Sequence, residues 1–279
     1  MVFEILEFGF MQRALIAGAA VAITASVIGL FLVLRRNSLF GDALSHVAFG
    51  GIAVGLFINI YPLWTGLVLS VLGGLGITKL RQSAKIPADA TVAILLSVGL
   101  ASGVVLVGLR GGFTLDLFSF LFGSILLVSV NDTLAILAMA GIILALIILL
   151  YRKLMYIAFD EEQAKVSGLP ISKLNYLFVV LASVAVIVSM RLVGILLVSS
   201  LIVIPNVTAL LFGKGFKKTA LISVAVSLFS VITGIAVSYA SNLPPAGTIV
   251  LVSIAVFLVT LAAKYSAKKQ AAEKLEARS

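Results

Sequence analysis

The chain has 279 residues, 62% of them hydrophobic and 11% charged, with a formal net charge of +9 and no cysteine. That is too apolar for an ordinary soluble domain, and apolar runs of about 20 residues, the length a helix needs to cross hydrocarbon, recur along it. The missing cysteines exclude disulfides, thiolate metal sites and thiol nucleophiles, and no soluble basic domain is available to direct the positive charge at nucleic acid.

In chain order the apolar stretches are 14–34, 43–60, 65–77, 90–109, 115–130, 134–150, 174–190, 192–212, 219–240 and 248–263. Continuous runs of this kind favour helices over a barrel, so the fold class is an all-α polytopic membrane bundle surrounded by lipid. The first stretch is too long for a signal-peptide core and lacks a small-residue cleavage site, so it counts as a span. The fifth begins in "GGFTLDLFSFLFGSI" and carries Asp116, a costly residue to expose to lipid. A short helix at the outer surface would tolerate it. With that stretch excluded, nine crossings remain. Placing the N-terminus outside and the C-terminus in the cytoplasm then puts 17 of the 20 Lys and Arg residues inside, leaving only Arg13, Arg110 and Arg191 elsewhere. The expectation is a single transmembrane domain, residues 1–279, in the cell membrane, ending in a basic cytoplasmic tail over 264–279.

Polar residues are few enough to be weighed one at a time. In "SLFGDALSHVAFGG", Asp42 stands four residues before His46, the chain's one histidine. That spacing puts both side chains on one helical face. A carboxylate and an imidazole on adjacent turns can share a borderline divalent cation, although two ligands do not complete a site. The bland alternative has Asp42 capping the helix and His46 hydrogen-bonded within the bundle. The residues alone leave both readings open. Pro205 interrupts "LLVSSLIVIPNVTALLF" and frees backbone carbonyls near mid-membrane, with Asn206 and Thr208 directly after it. Such breaks line substrate routes or serve packing. Asp89, after Pro87, is expected to cap a helix.

The largest polar interruption, residues 151–173, holds Asp160, Glu161 and Glu162, an amphipathic turn and a stop at Gly168-Leu169-Pro170. It reads as a helix lying on the cytoplasmic surface and presented to a partner, or else as a solvated loop. The chain has no G-x-x-x-x-G-K-[ST] loop, so it is not expected to hydrolyse ATP. An intramembrane protease is disfavoured because its second histidine, second aspartate or plain Ser–His dyad is missing.

Taken together, these stretches resemble the membrane permeases of ABC-type importers for zinc, manganese and related divalent metals, the ABC-3 family. "LVLRRNSLFGDALSHVAFGGIAVG" is similar to the family's hallmark region, "AFDEEQAKVSGLP" to its cytoplasmic segment, "RLVGILLVSSLIVIP" to its late helix and "PAGTIVL" to a late turn. Order and spacing hold from about Met11 to Ala263. The resemblance implies a fold like that of the vitamin B12 importer's membrane subunit. It also implies a dimer of permease chains over two copies of an ABC ATPase, and a metal-binding protein docking outside. Asp42 and His46 would be the polar pair of the pathway, and Asp160, Glu161, Glu162, Ala164 and Gly168 would belong to the coupling helix. No cofactor is implied beyond the transported metal, zinc or manganese, with iron as a further option. Two departures stand out. Val47 and Phe49-Gly50-Gly51 follow the histidine, and Asn206 after Pro205 adds a candidate oxygen ligand. The rival is an ion-coupled secondary metal transporter, which would need more membrane-embedded acids than Asp42 and Asp116.

Overall fold

The computed structural model describes residues 8–84, 86–112, 115–123 and 129–276, with side chains described except at 115–117, 191, 196–197 and 271–276. Among these residues there are helices and no strands: α1 (Gly9–Leu34), α2 (Phe40–Phe57), α3 (Pro62–Ala84), α4 (Ala88–Leu109), α5 (Leu115–Phe122), α6 (Val130–Phe159), α7 (Glu161–Val166), α8 (Ile171–Val193), α9 (Ile195–Leu210), α10 (Phe216–Ser241) and α11 (Pro245–Glu276). The all-α membrane bundle expected from the sequence is what forms. Its helices close their backbone hydrogen bonds internally, as lipid requires.

Eight of them, α1, α2, α3, α4, α6, α8, α10 and α11, are long and apolar enough to cross a membrane. The stretch expected as the ninth crossing is shorter than a typical span. Gly194, at φ 77°, ends α8 and starts α9, so α9 has only 16 residues, about 24 Å of helix against a core of roughly 30 Å. A short helix is tolerated here because α9 packs on α1, α2, α10 and α11, inside protein. The break itself has a packing cause. A Cβ on Gly194 would lie 2.4 Å from the Leu121 carbonyl oxygen, and one on Gly123 would lie 2.4 Å from that of Leu192. The end of α5 therefore crosses the α8–α9 junction backbone to backbone, at a separation only glycine permits. The eight-residue α5 does not cross the membrane, being about 12 Å long. The Asp116 side chain lies outside the described residues.

α1 and α2 are the most enclosed of the eight spans. α1 packs on α6, α8, α9 and α10, and α2 packs on α3, α4, α8 and α9. The outer helices turn large apolar residues outward, as Ile148 and Leu149 of α6 show at 75% and 78% exposure. In water such a surface would be a liability, and in lipid it is the expected one. α11 continues into the basic C-terminal tail as far as Glu276, and residues 261–270 are exposed.

Candidate functional site

α1 ends in a tight, fully hydrogen-bonded corner. The amide of Arg36, at φ 55°, donates to the Val33 carbonyl at 3.0 Å, and the amide of Asn37 donates to that of Leu32 at 2.9 Å. This is the paired-bond termination usually built on glycine. The Phe40 amide then donates to the Asn37 carbonyl at 3.0 Å, and α2 starts. Asp42 is thus carried in the first turn of α2, close behind a rigid corner.

α2 has no side-chain cap hydrogen bond at its N-terminus. The capping role for Asp42 is therefore not the one this structure shows. The Asp42 carboxylate faces His46 instead, with Oδ1 3.8 Å from Nε2. That separation is too long for a hydrogen bond. It suits a shared cation, since two ligands each about 2.0–2.2 Å from a metal are themselves roughly 3–4 Å apart. His46 Nδ1 is buried and has no hydrogen-bond partner, so nothing within the bundle satisfies the ring in the way the bland alternative requires. Among the described residues no group of three or more His, Asp or Glu side chains could hold a metal ion. One chain therefore brings two ligands together and stops there.

Close helix packing fixes the pair. Gly50 of α2 meets Gly99 of α4, where a Cβ on Gly50 would lie 2.9 Å from the Gly99 carbonyl. A Cβ on Gly99 would in turn lie 2.5 Å from the Val47 amide nitrogen and 2.6 Å from the His46 carbonyl carbon. The departure Phe49-Gly50-Gly51 is thus part of the site's frame, because these glycines let α4 seat directly on the backbone that carries His46. Gly99 was missed at the level of sequence. A glycine in an apolar helix signals close approach without naming its partner.

Asn206 is held away from solvent and fully engaged. Its Nδ2 donates to the Ile202 carbonyl at 2.7 Å, and its Oδ1 accepts from the Ser223 hydroxyl at 2.7 Å. Ser223 also accepts from Ser26 at 2.8 Å. The network binds α9 to α10 and α1, and it is the surrounding in which the structure places this candidate ligand. Pro205 is buried within a helix that runs on through it.

The candidate coupling segment is a defined helix, α7. Asp160 caps it, accepting from the Gln163 amide at 2.9 Å. Gly168, at φ 79°, closes it with a second paired-bond termination, its amide donating to Lys165 and that of Leu169 to Ala164. Ala164 is buried in a small core of its own with Ile157 and Leu174, while Glu161, Glu162 and Val166 face outward, Val166 at 90% exposure. The helix is anchored below and presented above. Beside it opens a cavity of about 600 Å³ lined by the ends of several helices, among them Arg35, Arg36, Arg81, Glu161 and Asn175.

The model of the ABC 3 transport family matches residues 7–264. The chain belongs to that family. It is similar to a protein of Treponema pallidum named a probable metal transport system membrane protein, at 35% identity over 92% of this chain and 96% of that one. It is also similar to the manganese import system permease protein ScaB of Streptococcus parasanguinis, at 32% identity over 91% and 90%. Among solved structures, PsaBC from Streptococcus pneumoniae in complex with Fab matches with a TM-score of 0.83 and 31% identity, covering 93% of this chain and 95% of that one. Members of the ABC 3 family are transport permeases, so the bundle, the pair on α2 and the presented α7 belong to a membrane transport subunit.

Proposed function

We propose that this chain forms the translocation pathway of an ATP-driven importer of divalent metal ions, with manganese its first candidate cargo and zinc its competitor. The observation that carries the reading is the Asp42–His46 pair, a carboxylate oxygen and an imidazole nitrogen 3.8 Å apart on adjacent turns. Oxygen donors suit manganese and an imidazole nitrogen suits zinc, so the mixed pair accommodates either. Two ligands per chain leave the coordination sphere open, which suits passage better than a closed structural cage. A second copy of the chain would supply a second pair. The Asp160–Gly168 segment is the contact with a separate ABC ATPase, two copies per complex, and a metal-binding protein outside the cell delivers the ion. The names of the relatives support manganese. Cells or vesicles carrying the chain with its ATPase should accumulate radioactive manganese only when ATP can be hydrolysed, and excess zinc should compete. Accumulation driven by a proton gradient without the ATPase would establish the secondary-transporter reading instead.

The proposed orientation has the N-terminus outside. Asn242 and Ser266 are both exposed, and the stretch of α11 between them, from Pro245 on, is about 32 Å long. In this cysteine-free chain, Asn242→Cys should react with an impermeant thiol reagent added to intact cells, and Ser266→Cys only after the membrane is opened. Reaction of both from outside would mean that the crossing count between them is wrong.

A further inference from the structure

Arg35 caps the C-terminus of α1, and its guanidinium is drawn inward. Nη1 donates to Asn175 Oδ1 on α8 at 2.9 Å, and the group lies 4.9 Å from the centre of the Phe178 ring. The other end of the Asn175 amide donates to Glu161 Oε1 at 3.4 Å. Arg35 Nε and Nη2 are buried with no partner. Burial pushes the guanidinium's pKa down, and the charge of Glu161 opposes that shift. An under-partnered buried cation is costly. The aromatic face and the Asn175 bond offset only part of that cost.

We propose that Arg35 is a positioning residue for transport, tying the α1–α2 corner that carries Asp42 to the surface helix that carries Glu161. The inference rests on the reading of α7 as the ATPase contact. Asn175 bridges the two charges in the present arrangement. When α7 moves toward the bundle, Glu161 can take the idle Nε and Nη2 donors directly, in the paired geometry arginine offers a carboxylate. The corner is hydrogen-bonded from Leu32 to Phe40, so a pull on Arg35 reaches the first turn of α2 without being absorbed by a floppy loop. The two arrangements, bridged and direct, form the kind of discrete pair that converts a small displacement into a switch.

Asn175→Asp separates this role from plain stability. The new carboxylate keeps Arg35 paired, so the reconstituted complex with its ATPase should melt at or above the wild-type temperature. It also repels Glu161, so manganese moved per ATP hydrolysed should fall by about tenfold. Arg35→Lys, which keeps the charge but not the fork, should uncouple partially. A stable Asn175→Asp complex with the wild-type ratio of manganese to ATP would overturn the proposal. Glu162→Lys lies off the bridge and tests the underlying reading by itself. If it weakens ATPase binding while Asn175→Asp behaves as wild type, only the role of Arg35 fails. If it leaves ATPase binding unchanged, the reading of α7 fails and the proposal falls with it.

Discussion

Asp42→Asn and His46→Gln should each lower manganese uptake by about tenfold or more, at matched expression and with ATPase assembly intact. Asn preserves the size of Asp42 and would serve as well as a helix cap, so a capping role predicts a nearly silent substitution. The structure gives Asp42 no cap hydrogen bond to lose. What Asn removes is the charge facing Nε2 across 3.8 Å. Gln keeps a polar group at 46 but provides a poorer metal ligand. Because the two side chains act on one ion, the double variant should be little worse than either single one. Uptake assays beside a pull-down of the ATPase make the comparison. Wild-type uptake by Asp42→Asn would remove the pair from the pathway.

Local patterns in the sequence carried much of this arrangement. The 3.6-residue period put Asp42 and His46 on one face, and run length located the helices, although α3, α6 and α11 run well past the expected ends. Acidic residues before a Gly-Pro stop marked α7 because caps and stops are chemically local. Interactions between distant segments were not legible. Asn175 sits in an unremarkable "SKLNYLF", and only folding brings it between residues 35 and 161, on two other helix ends. Asn206 looked like a spare oxygen ligand because its partner Ser223, and Ser26 bonded to that serine, are distant in the chain. The shortness of α9 was hidden for the same reason, since Gly194 breaks the run where a distant Gly123 crosses it. Hydropathy alone counts both sides of that break as apolar.

Gly99→Ala tests whether the frame around His46 matters as much as its ligands. A methyl group there would come within 2.5 Å of the Val47 nitrogen and 2.6 Å of the His46 carbonyl carbon. Backbone atoms cannot rotate aside as a flexible side chain can, so α4 or α2 must shift. Overpacking of this kind costs about 1–3 kcal/mol. A shift of α2 also moves the very peptide that aims the imidazole at Asp42, and a shift of α4 removes the packing that holds that peptide. The variant should therefore lose both melting temperature and uptake, and uptake should remain low when assayed well below the melting transition, where loss of folded protein is not the cause. Gly141→Ala in α6 is the matched control, because a Cβ there meets nothing within 4 Å. It should be neutral, or stabilising by roughly 0.5–1 kcal/mol from helix propensity, with uptake unchanged. Equal behaviour of the two variants would show that α2 and α4 have room between them, and that the close approach at Gly99 does not hold His46 in place.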